Sequence, residues 1–169
     1  MGIPTHAMVY TSGGAATMDS GAGPLQFLGP LRQLGRNGNW FLLFYPLPEG
    51  KSFEEVRNQA TEQYIQAAGS AEAMTVEIRK PGGAQWGAEW VRYTIGHPHD
   101  DDLPLDVAIP LPRGDEMISR AEVFDAEEAG KLFMSYHKTG DIPPGYVLRP
   151  VEGYTADGRH FDLPDAAPH

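Results

Sequence analysis

The sequence predicts an α+β fold, an antiparallel sheet of about five to seven strands packed against two helices. Three observations carry this. Met74-Thr75-Val76-Glu77-Ile78-Arg79 and Trp90 to Ile95 alternate side chains with period two on either side of Pro81-Gly82-Gly83, the pattern of a hairpin with one solvated face. Ser52 with Glu55, and Asp125 with Glu128, place a capping side chain three residues ahead of a carboxylate, which satisfies the orphan N–H groups that open a helix. Finally, 169 residues with 41% apolar and 10% aromatic content suffice for one core but not for an array of domains.

Taken in order, residues 1–24 are rich in small residues around Ala7-Met8-Val9-Tyr10, and read as a flexible arm able to supply an edge strand. Residues 25–169 then form a single domain. The apolar run Asn39 to Tyr45, stopped by Pro46 and Pro48, is expected as a central strand buried on both faces. From Ser52, the residues Phe53, Val56, Ala60, Tyr64 and Ala67 or Ala68 recur at helical spacing up to Gly69, predicting a helix over about 52–69. The 74–95 hairpin follows, then a polar loop from Gly96 to Pro104. Leu105 to Ile109 is a short strand closed by Pro110 and Pro112, and another is expected near Met117 to Phe124. The second helix spans about 125–139, with Leu132, Phe133 and Tyr136 on one stripe and Gly140 as its stop. Tyr146 to Arg149, Gly153 to Thr155 and Arg159 to Leu163 read as extended chain ending in a hairpin.

The 23 Asp and Glu residues outnumber 13 Lys and Arg, giving a net charge of −10. Phosphate binding requires clustered cations, so a nucleic-acid partner is not expected, whereas a basic protein is. With no cysteine, disulfides, thiolate metal sites and Cys nucleophiles are excluded. No apolar run reaches the roughly 20 residues of a spanning helix, and the start lacks the charged head and apolar middle of a signal peptide. A cytoplasmic protein without membrane contact is therefore expected. No glycine pattern of a phosphate cradle and no Gly-x-Ser-x-Gly elbow occurs, so no cofactor is expected and no catalytic residue is assigned.

One string invites a metal. His97, His99 and Asp101 follow a strand as the first ligands of a His-x-His-x-Asp-His zinc motif do in the metallo-β-lactamase fold, although Asp102 stands where the last histidine belongs. A small metal-dependent hydrolase built on these three residues is one alternative. A ligand-binding module whose pocket is lined by Trp40, Tyr45 and Trp90 is another. The densest carboxylates fall at Asp100-Asp101-Asp102 with Asp106, at Asp115-Glu116, and from Glu122 to Glu128.

The segment from Ile118 through Tyr154 runs strand, capped helix, Thr139-Gly140-Asp141-Ile142-Pro143 and extended chain. It resembles the closing part of small α+β immunity proteins from bacterial polymorphic-toxin systems, in which a late helix ends in a Thr-Gly-x-x-Pro turn before a last strand. It departs from them at Arg149-Pro150, where an aromatic usually ends that strand. The resemblance implies a non-catalytic protein that binds a cognate toxin domain and occludes its active site with acidic side chains. The expected toxin-facing surface comprises Trp86, Glu89, Trp90, His97, His99, Asp100, Asp101 and Asp102, the two tryptophans lying exposed on one strand face.

Overall fold

A computed structural model describes residues 4–56, 62–100 and 102–163. The fold is α+β. Eight strands form one antiparallel sheet: β1 (His6–Tyr10), β2 (Ala15–Met18), β3 (Phe41–Pro46), β4 (Tyr64–Gly69), β5 (Met74–Pro81), β6 (Trp90–Gly96), β9 (Val147–Tyr154) and β10 (His160–Asp162), in spatial order β10-β9-β6-β5-β4-β3-β1-β2. Two further strands, β7 (Val107–Ile109) and β8 (Glu116–Ile118), make a separate hairpin. The helices are α1 (Leu25–Arg32), the single turn α2 (Phe53–Val56) and α3 (Ala126–Thr139). No helix among the described residues is long and apolar enough to cross a membrane.

The helix layer covers one face. Phe27 and Leu31 of α1 and Leu132, Phe133 and Tyr136 of α3 are buried on Met8, Leu42, Phe44, Ile65, Val76, Ile78 and Ile95 of the sheet. Phe27 meets Phe44 edge-on, with centroids 5.0 Å apart and planes at 82°, the arrangement ring quadrupoles prefer. The two helices approach closely because Gly130 carries no side chain: a Cβ there would lie 2.9 Å from Leu28 Cδ2. Helix α3 begins as the capping pattern requires, with the Asp125 carboxylate accepting from Glu128 N–H at 2.9 Å. It ends where Gly140 adopts φ 78° and donates to Tyr136 O.

Three expectations are corrected. Of the helix expected over 52–69, the described residues hold only Phe53–Val56 (α2), and Tyr64 to Gly69 is instead a strand paired with both β3 and β5; residues 57–61 lie outside the described residues. Alanine and unbranched side chains there favour a helix locally, but two neighbouring strands with open ladders outweigh that weak preference. The arm supplies a hairpin rather than a loose edge, since β1 lies inside the sheet between β2 and β3. The Thr11 hydroxyl at its turn accepts from the N–H groups of Trp40 and Phe41 at 2.9 and 3.0 Å, tying it to the start of β3. The third concerns the supposedly solvated face of the β5–β6 hairpin, where Thr75, Glu77 and Thr94 are buried. Ile109 and Ile118 of the small hairpin turn inward and are buried, and Ile109 reaches Gly69 at the end of β4.

Candidate functional site

The register puts Gln66, Glu77, Thr94 and Arg149 in one cross-strand row, and Tyr64, Arg79, Arg92 and Glu152 in the next. Side chains of both rows project from the face opposite the helices. Arg92 is the hub. Its Nη1 donates to Glu77 Oε2, and its Nε and Nη2 lie 3.4 Å from Glu152 Oε1. Gln66 donates to Glu77 at 3.2 Å, Tyr154 OH donates to Glu152, and the Arg79 guanidinium lies 3.6 Å over the Tyr154 ring. Burial pushes the Glu77 carboxyl above its ordinary range, against the pull of Arg92. Glu152 behaves oppositely: burial again disfavours its charge, but Tyr154, Arg92 and His160 outweigh that and hold its pKa low. Each carboxylate is matched to cations and donors of this chain, the arrangement of a buried structural network. The sequence signalled it, because Glu77, Arg79 and Arg92 share one strand parity; the period alone did not distinguish a solvated row from a covered one.

The residues expected to form one partner-facing surface divide between the two ends of β6. Glu89 and Trp90 sit at its start, and His97 to Asp100 follow its end, about 20 Å away at 3.3 Å per residue. Trp86 and Trp90 do not share a face. Trp86 closes a 3-10 turn and packs with Ala88, Val91 and Leu163, whereas Trp90 alternates with Val91 and pairs with Pro81 and Tyr154 across the sheet. Both tryptophans are half-buried and Glu89 is exposed. Nor do Trp40, Tyr45 and Trp90 line one pocket. Trp40 stacks edge-on to Phe41 before β3, Tyr45 is at the other end of β3, and Trp90 is three strands away.

His97 is committed to the helix layer. Its ring stacks on Phe124 at 4.4 Å, Nδ1 lies 2.7 Å from Ala121 O, and Nε2 lies 2.8 Å from Glu128 Oε1. Both partners are acceptors, so the imidazolium satisfies the two at once. Burial disfavours that charge, yet the bonds to Glu128 and Ala121 outweigh it and raise the His97 pKa. Tyr146 OH donates to the other Glu128 oxygen at 3.0 Å. A metal would have to displace one of these bonds, and no group of three or more His, Asp and Glu among the described residues could hold one. Asp101 lies outside them.

The three carboxylate-dense stretches have different fates. From Glu122 to Glu128 they serve the fold: Glu122 is buried against Arg149 at 2.8 Å, Asp125 caps α3, Glu127 pairs with Arg32 at 2.7 Å, and Glu128 holds His97. In contrast, Asp100, Asp102, Asp106 and Asp115 are exposed and form no ion pair among the described residues. Residues 100–116 carry six carboxylates against Arg113 alone, half of the chain's net charge of −10. This stretch, from the end of β6 through the small hairpin, is the candidate site. Compared with known proteins, the chain matches no family model, no curated protein and no solved structure.

Proposed function

We propose that the chain is a non-catalytic, cytoplasmic immunity protein that neutralises a cognate bacterial toxin domain by laying the acidic stretch 100–116 over its active-site cleft. The observation that carries this reading is the division among the carboxylates. Those from Glu122 to Glu128 are consumed by structural partners, while Asp100, Asp102, Asp106 and Asp115 are exposed without an ion pair among the described residues, in a stretch, 100–116, whose sequence carries half the net charge. Unpaired like charges repel one another and lower stability, so a surface that keeps them gains its use from an external cation. A basic cleft is such a cation, and a one-signed field steers the encounter with it. The resemblance of Ile118–Tyr154 to immunity proteins supports the same partner class. The corrected placement of Trp86, Glu89 and Trp90, at the far end of β6, leaves them outside this surface.

The experiment is co-expression with the C-terminal domain of the secreted toxin that this reading expects a neighbouring gene to encode. Rescue of growth and co-purification are expected, with an association rate that falls steeply as salt rises from 50 to about 500 mM through Debye screening. Replacing Asp100, Asp102, Asp106 and Asp115 together by Asn should slow association at least tenfold without unfolding the protein. Unimpaired rescue by that variant would discard the acidic surface, and absence of any rescue by the native chain would discard the immunity reading.

A further inference from the structure

The two edges of the sheet are built differently. At one edge β10 has three residues, His160-Phe161-Asp162, next to the Asp157–Arg159 ion pair at 3.0 Å; short length and nearby charge protect an edge from unwanted pairing. At the other edge β2 reads Ala15-Ala16-Thr17-Met18, with neither charge nor proline. Its outward groups follow from the ladder. Tyr10 N–H donates to Gly14 O at 2.9 Å, and antiparallel strands exchange hydrogen bonds at every second pair. Met8 with Ala16 and His6 with Met18 are therefore the bonded pairs, so Ala15 and Thr17 turn their N–H and C=O groups away from β1. Leu47 N–H donating to Thr5 O fixes the same alternation from the β3 side. No described residue pairs with these outward groups.

Beside this edge lies a cleft of about 1010 Å³. Gly13, Ala15 and Thr17 form one wall, and the segment Leu47–Glu55 forms the other. Small, exposed side chains on β2 let another backbone come to the 4.8 Å of a strand neighbour. Glu49 and Glu55 are exposed on the opposite wall, where Lys51 is the one cation among the described lining residues and is itself 4.0 Å from Glu55.

We infer that the β2 edge accepts an extended, Lys- or Arg-bearing segment of a partner protein as a ninth strand. Main-chain bonds to Ala15 and Thr17 set its register, and the wall carboxylates select its basic side chains. This surface is separate from the acidic stretch 100–116 and does not depend on the toxin reading: growth rescue can fail while the edge still binds, and the reverse.

A labelled peptide alternating lysine with valine and threonine, Lys-Val-Lys-Thr-Lys-Val-Lys, tests it against the full chain by anisotropy and by amide exchange. Binding should slow exchange of the Ala15 and Thr17 amides at least tenfold. N-methylation of alternate peptide residues removes the donors of one edge and should abolish binding while leaving all charge in place; a version with Glu for Lys should not bind. Thr17→Pro, which deletes an outward N–H that no described strand uses, should weaken binding at least tenfold. Equal binding by the N-methylated peptide would overturn the inference, as would unchanged exchange at Ala15 and Thr17 under saturation. Protection of those amides in the free chain would also overturn it, whether it is constant, meaning the edge is already covered, or rises with protein concentration, meaning that a second copy occupies it.

Discussion

The two faces of the eight-stranded sheet bury their side chains by different chemistry. On one, Phe27, Phe44 and Phe133 interlock beneath α1 and α3. On the other, Glu77 is 6% exposed and held by Arg92 and Gln66, while Arg92 also reaches Glu152. The aromatic face gains from every methylene removed from water. The charged face gains little net stability, because the cost of desolvating ions offsets their attraction, but it punishes any change that leaves one ion alone. Specific pairing, rather than added stability, is what the second face contributes.

That contrast can be broken first where burial is deepest. Phe44→Ala should cost about 3–5 kcal/mol through lost transfer energy and a residual cavity, read from urea unfolding. On the other face, Arg92→Met strands two carboxylates at once and should cost about 3 kcal/mol. Adding Glu77→Leu should restore part of that loss, so the two changes together will be far from additive. If Arg92→Met proved neutral, the charged face would count as solvated after all.

Two histidines sharpen the comparison through pH. His6 stacks on Phe44 at 4.9 Å, and burial, with His137 close by, lowers its pKa to about 4. Its unfolded form takes up a proton near 6.5 and its folded form does not until about 4, so stability should fall as pH drops across that window. His6→Phe should flatten the fall. His97 has the opposite sign: its raised folded pKa gives a stabilisation fully present below 6.5 and lost as pH rises through the folded value. Being partly exposed, the pair is worth only about 0.5 kcal/mol, and Glu128→Gln should shrink its pH dependence to the part held by the Ala121 carbonyl and Asp125. Smallest of all, Asp102→Asn should change stability by less than about 0.5 kcal/mol, since its carboxylate has no described partner.

The sequence made the β5–β6 hairpin and α3 legible because in each the local signals agree: alternation with a Pro-Gly-Gly turn, and a cap with a stop. It misled at Tyr64–Gly69, where Ala67 and Ala68 suit a helix and only the flanking strands decide otherwise. It was silent at α1, whose Gly29 and Pro30 argue against a helix that packing on α3 nonetheless secures. At the candidate site it located the acidic stretches but could not sort them, because whether Glu122 meets Arg149 or water depends on a strand 25 residues further on. The split of Trp86 and Trp90 from His97 was implicit in the length of β6.

The contact at Gly130 also sets an order of events. Leu28 and Gly130 are about a hundred residues apart in the chain, and among the described helices α1 lies against α3 alone. During synthesis, Phe27 and Leu31 therefore emerge long before their cover exists, beside a β2 edge that is also open. The nascent chain must hold these surfaces unpaired until α3 leaves the ribosome, which makes the interval between the two helices the period in which this protein is most prone to wrong association.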